Sequence, residues 1–263
     1  MLIIGAQDRI GAMKTPPANL SWFADTFKQA TKQILQAWED VGLDSPAEQP
    51  TVDVLCGAMD QLIDLLRKSE ESGPDRLSGD PGAQPPDISE MGDYGLNILE
   101  ELALMAEDLG IEDQSMAWEL LAIALARWIA YHGGELSSIS ALVNGLAFLA
   151  NNTEETDALE EIYTVMGDFI NATSPATQQQ PGDEYDQNPW HLLLLNRGII
   201  ATRIMSPRLM DAAYSEIAQL IPEDAGSFFR EGMEQMELVD YPPEVREVIE
   251  RYFNDWPGKR VLH

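Results

Sequence analysis

The sequence predicts an all-α protein of about ten helices, packed either as antiparallel pairs with an α-solenoid-like rhythm or as an irregular helical bundle. Three observations carry this expectation. Apolar residues recur at three- and four-residue steps along nearly the whole chain. Helix starts near 93, 113, 135 and 153 lie about 20 residues apart, so two helices take about 40, the period of tandem helix-pair arrays. No segment alternates apolar and polar residues as a half-buried strand does, and Asn144-Gly145 lacks the flanks of a hairpin turn. The tetratricopeptide consensus positions do not recur at a fixed period, so the likeness to a repeat array is one of rhythm alone.

The elements follow in order. Leu20, Phe23, Phe27, Ala30, Ile34, Trp38 and Val41 form one apolar face, with Ser21 a candidate cap and Gly42 a candidate stop. Thr51 opens a second helix whose face holds Val52, Leu55, Cys56, Met59, Leu62, Ile63 and Leu66. The proline- and glycine-rich stretch 70–92 then reads as a long loop. The expected division is a helical hairpin over 1–72, a linker over 73–92 and a main helical body over 93–263. In that body, helices are expected over 93–109, 113–132, 135–150 and 153–172. Gly110 and Gly133-Gly134 are the stops, and Asp113 and Thr153 the caps. A loop over 173–187 leads to helices at 189–204, 207–221, 223–238 and 243–254. Asn188-Pro189 and Ser206-Pro207 each set a cap residue before a proline suited to the first helical position. Segment 116–131 is apolar on most of its circumference, which places it in the middle of the structure.

Charge is the unusual part of the composition. The chain of 263 residues carries 16 Lys and Arg against 45 Asp and Glu, a net charge of −29. Residues 77–196 hold one base, Arg127, and 21 acids. Phosphate backbones and anionic membranes would repel such a surface, so neither nucleic acid nor membrane is an expected partner. No segment has the run of about 20 apolar residues that a membrane span needs. The N-terminal apolar run is short and has no basic lead, unlike a signal peptide, and Met13 is an alternative start that would make residues 1–12 an extension. With one cysteine, Cys56, read as a small buried hydrophobe, the chain suits a reducing cytoplasm.

Signatures of chemistry are sparse. The residues three before His132 and His191 are Ile129 and Asn188, so the Glu-x-x-His signature of di-metal bundles is missing. Phosphate-binding loops, dinucleotide fingerprints, nucleophile elbows and zinc spacings do not occur. No catalytic residue, metal site or cofactor is assigned on this basis. The candidate binding residues are of three kinds. Glu154, Glu155, Asp157, Glu160 and Glu161 crowd one helix start, either as a docking face for Lys and Arg or as a solvated face that complements the helix dipole. Asp183, Glu184 and Asp186 match no known calcium loop and read as a solvated loop. Arg127, on the most apolar helix, needs a carboxylate or carbonyls around it, such as Glu119, or else holds an anionic ligand. Trp190 and His191, with Trp118, Trp128 and Tyr131, are core by default. If exposed, they would form apolar anchors inside an acidic rim suited to an amphipathic basic helix. Phe228-Phe229, Met233 and Met236 invite the same pair of readings.

The expected function is that of an acidic interaction module or adaptor that docks a basic protein or peptide. The alternative is a carboxylate-based enzyme, with or without a divalent metal, whose cleft would contain acids of raised pKa. A salt-adapted surface is compatible with both. Oligomeric state is left open.

Overall fold

The structure is a computed structural model that describes residues 14–41, 50–76, 87–111, 115–180, 188–238 and 240–256. Among them it is all-α, with eleven helices: α1 (Leu20–Val41), α2 (Val52–Arg76), α3 (Ile88–Asp108), α4 (Ser115–Tyr131), α5 (Ser140–Asn151), α6 (Thr156–Ala172), α7 (Pro175–Gln178), α8 (Pro189–Arg203), α9 (Pro207–Leu220), α10 (Pro222–Leu238) and α11 (Pro243–Asp255). No described helix is long and apolar enough to cross a membrane. The expected stop Gly42, cap Asp113, acidic loop residues 183–186 and alternative start Met13 lie outside the described residues.

Local chemistry explains most boundaries. Gly110 and Gly133 adopt φ of 72° and 76°, a region that glycine enters without a Cβ penalty. Each ends its helix with the paired hydrogen bonds of a Schellman motif: Ile111 N to Ala106 O and Gly110 N to Glu107 O after α3, Gly134 N to Ile129 O and Gly133 N to Ala130 O after α4. Asn188 Oδ1 accepts from Trp190 N at 2.9 Å and caps α8. Met205 ends α8 at φ 56°, a position that usually takes glycine.

Other boundaries differ from the sequence expectations. Asn19, not Ser21, caps α1, accepting from Trp22 N at 2.8 Å. Helix α2 continues through Gly73-Pro74 to Arg76, and α3 begins at Ile88, with Asp87 Oδ1 accepting from Ser89 N. The loop expected over 70–92 is therefore helical at both of its ends. Residues 135–139 are not helical: Leu136 donates its N–H to Ala172 O and accepts from Ser174 N, forming an isolated bridge with Thr173. The Thr153 hydroxyl caps nothing; it is buried without a hydrogen-bond partner.

The chain divides into two compact units. One comprises Thr15–Leu146 with Asn171–Thr177; the other comprises Ala147–Ile170 and the chain from Gln178 onward, together with Lys14. In the first unit α1 packs on α2, α2 on α3, α3 on α4 and α4 back on α1, a closed four-helix ring that matches the bundle rather than an open stack. Its core holds Phe23, Phe27, Ile34, Met59, Leu66, Leu102 and Leu125, and six consecutive residues of α4, Leu121–Ala126, are buried. In the second unit α9, α10 and α11 pack mutually and α8 lies on α9. There the rings of Tyr214, Phe228, Phe229 and Tyr252 meet at centroid distances of 5.3–5.6 Å.

Candidate functional site

Helix α3 carries two adjacent stripes. Leu96, Leu99, Ala103 and Ala106 recur at three- and four-residue spacing and turn inward, while Glu100, Leu104 and Glu107 run beside them and stay exposed. Both stripes border a cleft of about 490 Å³ within the first unit. Helix α4 supplies Trp118, Glu119 and Ala122 to the same cleft, and the segment from Ser138 to Asn144 closes its far side. The floor is apolar, Leu104 at the rim is 58% exposed, and none of the described lining residues is a Lys, Arg or His.

Glu119 is the distinctive group. It lies on the helix that is apolar almost all round and is half-buried. Gly145 brings the start of α5 close to it: a Cβ on Gly145 would stand 3.1 Å from Glu119 Cβ and 3.0 Å from Ile123 Cδ1. Burial pushes the Glu119 carboxyl above its ordinary value, because leaving water disfavours the charged form. A carboxylate kept short of water recovers that solvation from a cation that enters the cleft.

The residues singled out from sequence are distributed over both units. Glu154 and Glu155 precede α6, and Asp157 and Glu160 lie on its first turns, all exposed to solvent; Glu161 is partly covered. Trp190 is 6% exposed and anchors the first turn of α8, so it is a core residue rather than a surface anchor. His191 beside it is half-buried, with Nδ1 2.8 Å from Asp224 Oδ2. Arg127 is partly buried in the first unit and donates from Nη1 to the carbonyl of Pro16, a main-chain acceptor that sequence could not name. Trp118 and Trp128 are buried, and the Trp128 indole donates to Glu70 Oε1 at 2.5 Å. Tyr131 is exposed, Phe229 and Met236 are core, and Phe228 and Met233 are partly covered. Cys56 is partly exposed, and burial, followed by the charges of Asp60 and Asp53, raises its thiol to about 11.

Sequence reasoning passed over Glu100 and Glu107 and considered Glu119 only as a partner for Arg127. The available signal was the α3 pattern itself, in which an acidic stripe borders an apolar one. No protein-family model, no curated protein and no solved structure matches this chain.

Proposed function

We propose that this protein is an acidic helical interaction module whose cleft between α3, α4 and the start of α5 receives a basic, partly apolar segment of a partner protein or peptide in a reducing cytoplasm. One observation carries the proposal: an apolar cleft bordered by Glu100, Glu107 and Glu119 without a basic side chain among its described lining residues. The apolar floor supplies burial area at about 25 cal/mol per Å², and the rim charges supply steering and orientation. An amphipathic helix with Lys or Arg beside its apolar face complements both. Nucleic acid and anionic membranes do not fit such a surface.

The test is fluorescence anisotropy with a labelled panel of amphipathic basic peptides and their charge-neutral analogues, at low and raised salt. Basic members should bind and weaken as salt rises. The triple variant Glu100→Gln, Glu107→Gln, Glu119→Gln should bind at least about 10-fold more weakly, since partly desolvated charge pairs contribute on the order of 1–3 kcal/mol. Ala103→Trp, which places a large ring over the floor, should block binding in a folded protein. Equal binding of basic and neutral peptides, or unchanged binding by the triple variant, would refute the proposal.

A second reading, an enzyme using carboxylates, draws on the raised pKa of Glu119 alone. General acid–base chemistry needs a partner group aligned with it. The lining hydroxyls of Ser138 and Ser140 are the available ones. Retention of peptide binding in Glu119→Gln together with loss of a turnover would favour that reading.

A further inference from the structure

The second unit contains a different cluster. His191 is the third residue of α8, and Glu223 and Asp224 are the second and third residues of α10. One ligand atom from each of the three lies within 4.8 Å of the other two. The imidazole thus comes from one helix and the carboxylates from another, 33 residues further along the chain.

Both helix starts are fixed by buried neighbours. Asn188 caps α8 and Trp190 is buried on one side of His191, its ring 5.9 Å from the imidazole. Ile221 and Ala225, each 0% exposed, flank the two carboxylates on α10. The three side chains therefore stand on a rigid base, which a metal site requires. Asp224 is half-buried, while Glu223 is 62% exposed and leaves one side open to water.

The chemistry of the donors decides what the cluster holds. Asp224 Oδ2 lies 2.8 Å from Nδ1 of His191, and Glu223 Oε1 lies 4.0 Å from Nε2. A neutral imidazole has one N–H, so it can donate to one carboxylate only and turns a lone pair toward the other. A metal ion bound to a ring nitrogen removes that mismatch. Glu223 and Asp224 each offer a carboxylate oxygen, and a carboxylate oxygen is a hard donor that ligates divalent ions. One imidazole nitrogen with two carboxylate oxygens suits a first-row divalent ion, and three protein ligands with water completing the shell is the open type of site.

We propose that His191, Glu223 and Asp224 bind one divalent transition-metal ion of the zinc, manganese or cobalt class, with solvent completing its coordination. The site is independent of the peptide cleft, because its residues belong to the other unit.

The experiment is calorimetric titration of the full, chelator-treated protein with Zn²⁺, Mn²⁺ and Co²⁺, with the Co²⁺ absorption band as a spectroscopic readout. The expected result is one equivalent bound by the wild type. His191→Ala and Asp224→Asn should each weaken it by roughly 10-fold or more, since even loss of an outer partner has that effect. Glu223→Gln, at the exposed edge, should weaken it less while its helix content and metal-free Tm stay at the wild-type value. That variant keeps the test meaningful if either of the others is unstable. Weak binding at many equivalents, equal in wild type and all three variants, would overturn the proposal and mark the signal as nonspecific attraction to surface carboxylates. Failure of peptide binding in the cleft would leave this outcome untouched, and the reverse holds too.

Discussion

Arg203 closes the last turn of α8 and reaches the C-terminal end of α5 and the chain that follows it. Its Nη1 donates to Ala150 O at 2.8 Å and its Nη2 to Thr153 O at 2.9 Å. The last carbonyls of a helix have no partner within the helix, and a guanidinium fork meets two acceptors with one rigid group. Hydrogen bonds from a charged donor contribute about 1.5–3 kcal/mol each. A cation beside a helix C-terminus adds about 0.3–1 kcal/mol. The Ala150 carbonyl also accepts from Thr153 N at a long 3.4 Å, so it keeps a weak partner when the arginine is lost. Arg203→Met preserves the aliphatic stem and removes both bonds. We expect it to destabilise the protein by about 3–4 kcal/mol, the lower end of the sum of these effects. Arg203→Lys retains the charge and at most one of the two contacts, and should lose about half as much.

Urea unfolding followed by far-ultraviolet circular dichroism measures the change, and a thermal shift of about 5–12 °C should accompany it for Met. If Arg203→Met loses less than about 1 kcal/mol, water replaces the fork at no cost and the two carbonyls are not held by it. If Lys and Met lose equally, fork geometry matters and charge does not.

Three further outcomes follow from packing and titration. Cys56, raised to about 11, should react with iodoacetamide at pH 8 about 10-fold more slowly than an ordinary thiol: its thiolate fraction falls about 100-fold, and the greater nucleophilicity of a more basic thiolate recovers about 10-fold. Glu119→Gln should stabilise the protein at neutral pH. The folded state binds the Glu119 proton more tightly than the unfolded state, so wild-type stability from this group rises as pH falls through the folded pKa and levels off below the unfolded one, where the advantage of the variant vanishes; parallel urea melts at neutral and acid pH test the sign. Gly198→Ala should destabilise by about 1–2 kcal/mol despite the better helix propensity of alanine, because its Cβ would stand 2.7 Å from Phe228 Cζ and 2.8 Å from Ile217 Cδ1; an equally stable variant would show that this contact gives way freely.

Short-range chemistry made the helix ends legible where a residue type carries the mechanism. Gly110, Gly133 and Asn188-Pro189 act as their backbone preferences dictate. The same rules mislead where packing outweighs them. Gly73-Pro74 reads as a breaker, yet α2 runs through it. Leu136 reads as helical, yet its backbone groups pair with Ala172 and Ser174, some 36 and 38 residues later. Met205 gives no glycine signal for its left-handed turn. The cleft was harder still, because periodicity shows which face of α3 is apolar but not which helix meets it. Glu119 became distinctive only when Gly145 admitted α5 beside it, and His191 only when a helix start 33 residues away supplied Asp224.

The placement of the cations bears on why the charge is so uneven. Arg197 is paired with Glu216 and stacked on Tyr163, Arg203 holds two carbonyls, Arg251 pairs with Asp211, and Arg127 holds the Pro16 carbonyl. These four bases are engaged with acceptors on the protein itself, and no Lys, Arg or His is among the described residues that line the cleft. An acidic surface of this kind repels itself, and salt relieves the repulsion by screening it. The same screening weakens attraction between the cleft and a basic segment. Salt adaptation and docking therefore separate by sign: added salt raises stability in both cases, but only a docking surface loses binding in the same range. A module whose stability rises and whose peptide affinity falls along one salt series has an acidic surface that attracts a partner, whereas rising stability with salt-independent binding assigns the charge to solubility alone.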